Sequence, residues 1–237
     1  MQIIYTDGAC KGNGKKDTDG NRGGYGVFYQ DGNTVRCVWD GEPSTTNNRM
    51  ELMAIITALQ ISDPKRPTTI YSDSNLAVRT FNEWLAGWKK RGWKKADKST
   101  PANLDLVQRL DELSQGRKLT LQWVKAHNGD IGNEMADVLA NLGEENQQYG
   151  EVSFIGLEPA LSVYLEALSN HIGRPITLSA QSKSALNKAN KKTSSNQSDD
   201  NANPVKNNTS PTKKSTPKEP KEPKEPKEPK EPKEPKE

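Results

Sequence analysis

Four carboxylates stand where structural elements begin or end. Asp7 closes the run QIIYTD, Glu51 falls in the first turn of a long apolar segment, Asp73 follows the strand-like Thr69–Ser72, and Asp137 lies on the last strongly helical pattern. Packed together, four such acids would repel and raise one another's pKa, a cost that is offset when an ion sits among them. Their separations are 44, 22 and 64 residues, so no local geometry links them. Singly, each has a plainer role: a turn at Asp7-Gly8, a capping box at Glu51, a strand-to-helix cap at Asp73-Ser74, a solvated helix charge at Asp137. Ligand sites gather at the carboxyl ends of parallel strands, which makes Asp7 and Asp73 candidate neighbours.

The elements that must position these groups follow from periodicity and turn residues. Residues 2–7 suit a buried strand. Gly23–Gln30 and Thr34–Gly41 are strand-like runs separated by Asp31-Gly32, a hairpin signal. Asn48 can cap a helix, with Glu51 three residues on; that helix is apolar on two sides and therefore well buried. Pro64 and Pro67 bound its end. Thr69–Ser72 is a strand, Asn75–Trp88 a helix, Leu104–Leu113 an amphipathic helix ending near Gly116, and Lys118–Val124 a strand. Ala126–Gly132 is a loop, and Asn133–Leu142 a helix stopped by Gly143. Strands first, then alternating helix and strand, imply an α/β fold with a mixed sheet and helices packed on it.

Composition divides the chain. Twelve of its 14 aromatic residues lie in residues 1–150, and none follows Tyr164. Residues 1–150 carry 19 basic and 19 acidic side chains, so the net charge of +3 says little about partners. The sharpest local cluster is WKKRGWKKADK at Trp88–Lys98. Residues 151–182 keep some apolar content, with a short helix around Ala160–Leu168. From Lys183 onward Ser, Asn, Lys and Pro dominate, and from Lys218 the chain reads KEP six times and then KE. Such a tail cannot bury enough surface to fold, and the triplet fits an extended, solvated rod. No apolar run approaches the ~20 residues that span a bilayer, which excludes a helical membrane protein. The start, MQIIYTDGAC, lacks a signal-peptide pattern. Two cysteines, Cys10 and Cys37, exclude a disulfide-stapled scaffold and a multi-cysteine zinc site. A cytoplasmic location is expected.

Five strings, in order over residues 1–145, resemble the type 1 ribonuclease H family. Tyr5-Thr6-Asp7-Gly8-Ala9-Cys10 with Gly12-Asn13 resembles its opening strand and turn, and Thr46–Ala54 (TNNRMELMA) its acidic helix. Tyr71-Ser72-Asp73-Ser74 resembles the third acidic segment, and Trp123–Gly129 (WVKAHNG) the histidine loop. Asn133-Glu134 with Ala136-Asp137 resembles the start of the last helix. The resemblance implies a ribonuclease H-like fold: a five-stranded mixed sheet flanked by helices, to which composition adds a disordered C-terminal tail. Together they divide the chain into a catalytic domain at 1–148, a partly ordered extension at 149–182 and a tail at 183–237. The resemblance implies an endonuclease that hydrolyses the RNA strand of RNA–DNA hybrids.

It further implies that Asp7, Glu51, Asp73 and Asp137 converge to hold two Mg²⁺ ions, with Mn²⁺ a possible substitute. Hard cations on carboxylate oxygens can activate water and neutralise a leaving oxygen on an already anionic phosphodiester. His127, one of two histidines, takes the place of the family's proton-transfer or product-release histidine, a role its ordinary pKa allows. By resemblance Asn13, Asn47, Asn48 and Asn75 approach the RNA strand or minor groove, where amides can read a 2′-hydroxyl. Thr46 and Asn103 resemble a pocket for a DNA phosphate, although Ser44 stands where a basic residue is common. Trp84–Lys98 resembles a basic protrusion found in some members. There Lys89, Lys90, Arg91 and Lys94 would contact phosphates and Trp84, Trp88 or Trp93 a sugar.

Two other readings fit parts of the chain. A noncatalytic nucleic-acid-binding module on the same fold would be expected to lack one or more of the acids. A scaffolding protein built around the KEP tail, with an unknown partner of that tail, leaves the carboxylates unexplained. A monomer is expected.

Overall fold

The structure is a computed structural model that describes residues 1–12, 20–176, 178–184 and 187. All of these fall in one compact unit, Met1–Ser198. Asn13, most of the Gly14–Arg22 insertion and nearly all of the 183–237 tail lie outside the described residues.

Three antiparallel strands open the fold: β1 (Gln2–Cys10), β2 (Gly23–Asp31) and β3 (Thr34–Glu42). Pairing of Asp31 with Thr34 leaves Gly32-Asn33 as a two-residue turn, and Gly32 adopts a φ of +58° that glycine tolerates without strain. Helix α1 (Asn47–Ile61) crosses to β4 (Thr68–Ser72), which lies parallel to β1. A broken helical stretch follows: α2 (Asn75–Arg79), a π-helical turn (Thr80–Trp84) and α3 (Leu85–Lys90). Then come α4 (Leu104–Ser114), β5 (Leu119–Trp123) parallel to β4, and α5 (Ile131–Asn146). The chain continues through β6 (Gly150–Ile155) and α6 (Leu161–Ile172).

The sheet runs β5-β4-β1-β2-β3-β6. It has six strands, not the five implied by resemblance, because β6 pairs antiparallel with β3 from Thr34–Ile155 to Trp39–Gly150. One face packs Ile4, Val27 and Ile70 against α1 and α4 through Ile55, Leu59 and Leu110. The other packs Phe28, Cys37 and Trp39 against α5 and α6 through Met135, Leu139, Tyr164 and Leu168. Alternating strand residues thus feed two cores, as the two-residue side-chain period requires. No helix among the described residues is long and apolar enough to cross a membrane.

Three local expectations are corrected. The α1 cap is Thr46, not Asn48: its hydroxyl accepts the Arg49 N–H. Gly143 does not stop α5, which runs on to Asn146. A Cβ at Gly143 would lie 2.2 Å from the Asp40 carbonyl oxygen, so this glycine permits close helix–sheet approach. The single helix expected over 75–88 is interrupted by the π-helical turn, a feature that inserts one residue into the ladder.

Candidate active site

The central strand carries the first carboxylate. Thr6 pairs with Ser72 across the parallel β1–β4 ladder, so Asp73, just past the end of β4, comes level with Asp7; β1 does not end at Asp7 as expected but runs on to Cys10 through its pairing with β2. Glu51 reaches them from α1 because β1 and α1 touch at a glycine: a Cβ on Gly8 would sit 2.4 Å from the Glu51 nitrogen. Carboxylate oxygens of Asp7, Glu51 and Asp73 lie within 4.8 Å of one another.

Asp7 and Glu51 are buried. Burial pushes the Asp7 carboxyl well above its ordinary range, reinforced by the charges of Glu51, Asp73 and Asp137. Glu51 is raised in the same way by burial and by Asp73. Hydrogen bonds oppose these shifts in part: the Gly8 N–H donates to Asp7 Oδ1 over 2.7 Å, and Asn47 Nδ2 donates to Glu51 Oε1 over 3.3 Å. Among the described residues, buried Glu51 Oε2 has no hydrogen-bond partner. Asp73 is also raised by burial, while Asn133 Nδ2, donating to Asp73 Oδ2 over 3.2 Å, and His127 pull it down. Two buried acids and a half-buried third, with one oxygen left without a partner, fit a hard divalent cation.

Asp137 belongs to an adjoining group with His127 and Glu134, whose ligand atoms also lie within 4.8 Å of one another. Asn141 Nδ2 donates to Asp137 Oδ1 over 3.0 Å, and Ser182 Oγ donates to Asp137 Oδ2 over 3.0 Å. His127 has a φ of +48° and holds Nδ1 at 3.8 Å from Glu134 Oε2. Glu134 is fully buried; Gly129 N–H donates to its Oε1, fixing the histidine loop to α5. Glu134, Asn133 and Ser182 were not among the residues expected at the site. The first two had a signal: Glu134 is three residues before Asp137, one turn away on the same helix face. Ser182 had none.

Thr46 and Asn47 start α1, exposed Asn48 follows them, and exposed Asn75 starts α2 two residues beyond Asp73. Asn103 caps α4 with a φ of +52°. Arg49 clamps the first turns of α1 and α4 together through two 3.1 Å hydrogen bonds to Asp105, which sets Thr46 and Asn103 at neighbouring helix starts.

The basic segment is divided in its roles. Trp84 and Trp88 lie with ring centroids 5.8 Å apart, and Arg79 stacks over Trp84 at 4.7 Å. Trp88 and Trp93 pack on the first core. Lys89 is engaged with Asp111 at 2.6 Å, Arg91 Nε with the Lys94 carbonyl, and Lys94 Nζ with Thr100. Exposed Trp123, absent from the residues expected to bind, donates its indole N–H to the Asp73 carbonyl.

Comparison with known proteins gives consistent results. The RNase H family model matches residues 1–145. A ribonuclease H of Polaromonas sp. strain JS666 is 51% identical over 147 residues, covering 60% of this chain and 87% of the relative. Ribonuclease HI of Pseudomonas aeruginosa strain PAO1 is 50% identical over 141 residues, covering 60% and 91%. Among solved structures, LC9-RNase H1, described as a type 1 RNase H with the type 2 active-site motif, superposes with a TM-score of 0.59 at 29% identity. It covers 75% of this chain and 86% of that one.

Proposed function

The chain belongs to the RNase H family, and from that premise we propose that it is an endonuclease hydrolysing the RNA strand of RNA–DNA hybrids with divalent metal ions. The observation that supports this reading most strongly is the approach of Asp7, Glu51 and Asp73, from three separate elements, to within 4.8 Å of one another. Oxygen-only donors favour Mg²⁺, with Mn²⁺ a substitute. Asp7, Glu51 and Asp73 would hold the metal, two ions being held once Asp137 joins them. Bound there, Mg²⁺ supplies the charge that activates a nucleophilic water and steadies the leaving oxygen.

The protein's own groups do the rest. Asn47 keeps Glu51 oriented through Oε1 and leaves the buried Oε2 without a hydrogen-bond partner among the described residues. Asn133 does the same for Asp73. His127, one-third exposed, can carry a proton between the site and solvent. Asn47, Asn48 and Asn75, and Asn13 by sequence, offer amides to 2′-hydroxyls of the RNA strand. Thr46 and Asn103, at two helix starts, suit a phosphate of the DNA strand. The exposed lysines and Arg91 of 89–95 add phosphate contacts. One chain supplies every one of these groups, so a monomer suffices. Its two free thiols, one of them buried, suit a reducing cytoplasm. We take 1–148 as the catalytic unit, with 149–182 packed onto it and 183–237 as a tail that adds no core.

Labelled RNA–DNA hybrid and labelled DNA duplex, each incubated with Mg²⁺ and with EDTA, test the reading. Cutting of the RNA strand alone, only with Mg²⁺, is the expected result. Binding of hybrid without cutting, or equal cutting of a DNA duplex, would overturn it.

A further inference from the structure

The C-terminal extension returns to the active site. After α6, Arg174 pairs with Glu145 of α5 at 2.7 Å, and the Ile176 N–H donates to Ser169 Oγ. Ile172, Ile176 and Leu178 pack on the second core. Residues 180–184 then form a helical turn. Ser179 Oγ accepts the Ser182 N–H over 3.1 Å, and the Ser179 carbonyl accepts the Lys183 N–H over 3.0 Å. This turn delivers Ser182 to the gap between Asp137 and His127. Its hydroxyl donates to Asp137 Oδ2 over 3.0 Å and lies 3.4 Å from His127 Nδ1. Ser182 is fully buried, although the segment around it is polar and otherwise exposed or half-exposed.

A single hydroxyl proton cannot serve both partners, so the arrangement has Ser182 donating to the carboxylate and accepting from His127 or Ser179. The contact occupies the Asp137 oxygen not held by Asn141. It also closes the space between the fourth carboxylate and the histidine. A scissile phosphate held through divalent metal on all four acids would need that space.

We propose that residues 178–184 are an intrasteric strap that covers Asp137 and His127 in the substrate-free enzyme and is displaced when an RNA–DNA hybrid binds. The proposal rests on the hydrolase reading above, because it assigns the covered space to the hybrid. The strap is held by few contacts: one turn, two hydrogen bonds to the site and the Leu178 anchor. Segments held so lightly open at low free-energy cost. While it is closed, the competent fraction is reduced and the apparent Kd is raised by the same factor.

Hydrogen exchange of the full-length protein in EDTA, with and without a short hybrid, reads the strap directly. The amides of Ser182 and Lys183 should be protected in the free protein and exchange at least several-fold faster once hybrid is bound. Ser182→Ala keeps the backbone and removes both side-chain contacts. It should bind hybrid roughly threefold to thirtyfold more tightly in EDTA, the range of one or two hydrogen bonds lost from the closed state. Unchanged or slower exchange on hybrid binding, or a variant that binds no more tightly, would overturn the strap. A hybrid that binds yet is not cut by the parent in Mg²⁺ would instead refute the hydrolase reading, and exchange in EDTA would still decide the strap.

Discussion

Gly8 lies against the backbone of Glu51 so closely that a Cβ would stand 2.4 Å from the Glu51 nitrogen and 2.8 Å from the Met50 carbonyl carbon. This contact sets the distance between β1 and α1, and with it the distance between Asp7 and Glu51. Gly8→Ala must push the helix away, because backbone cannot yield as a flexible side chain can. Misplacement by about 1 Å costs on the order of 100-fold in rate, and overpacking costs about 1–3 kcal/mol in stability. Hybrid cleavage should therefore fall by roughly 10–100-fold in kcat with a smaller change in KM, as steady-state kinetics on a short hybrid would register.

Asp7→Asn should separate catalysis from stability. Cleavage in Mg²⁺ is expected to drop by several orders of magnitude while the fold survives. The sign of the stability change follows from the raised pKa of Asp7. A carboxyl whose folded pKa exceeds its unfolded one binds more protons when folded. Stability is thus lost as pH rises from about 4, the unfolded value, through the folded pKa. In EDTA at neutral pH the variant should melt roughly 2–8 °C above the parent, equivalent to about 1–2 kcal/mol. The gap should close toward about pH 4, and Mg²⁺ should close it by stabilising the parent. Melting curves across this range, with and without metal, provide the check.

Lysines in the basic segment should not behave alike. Lys89 is bound to Asp111 on α4, whereas the side chains of Lys90 and Lys95 make no hydrogen bond or ion pair among the described residues. Neutralising Lys90 and Lys95 together should raise KM more than it lowers kcat and shrink the slope of log K against log salt by about 1–2 units. An unchanged slope would mean that this face is merely solvated.

Leu168, on α6, is fully buried in the second core with Phe28 and Leu139. Leu168→Ala should cost about 2–5 kcal/mol, lowering the melting temperature of the whole domain in one transition. A separate early transition, with the main one unmoved, would show instead that the extension folds apart from the sheet.

Much of this protein was legible one segment at a time. The β2–β3 hairpin, the buried α1 and the end of β4 follow from local periodicity and turn chemistry, although the turn falls at Gly32-Asn33 rather than Asp31-Gly32 and β1 runs past Asp7 to Cys10. The motif strings around Asp7, Glu51, Asp73, His127 and Asp137 carried the family. What tertiary structure alone decided is which atoms meet. Asp7, Glu51 and Asp73 form one group, while Asp137 sits with His127 and Glu134 in another. Thr46 rather than Asn48 caps α1 because the capping hydroxyl must meet the Arg49 N–H, a matter of backbone angle that either residue type permits. Gly143 reads as a helix stop until Asp40 is seen against it. β6 has its partner in β3, more than 100 residues earlier, and Ser182 meets Asp137 across 45 residues. Pairings of that kind leave no mark on local composition, since they depend on where the folded chain returns.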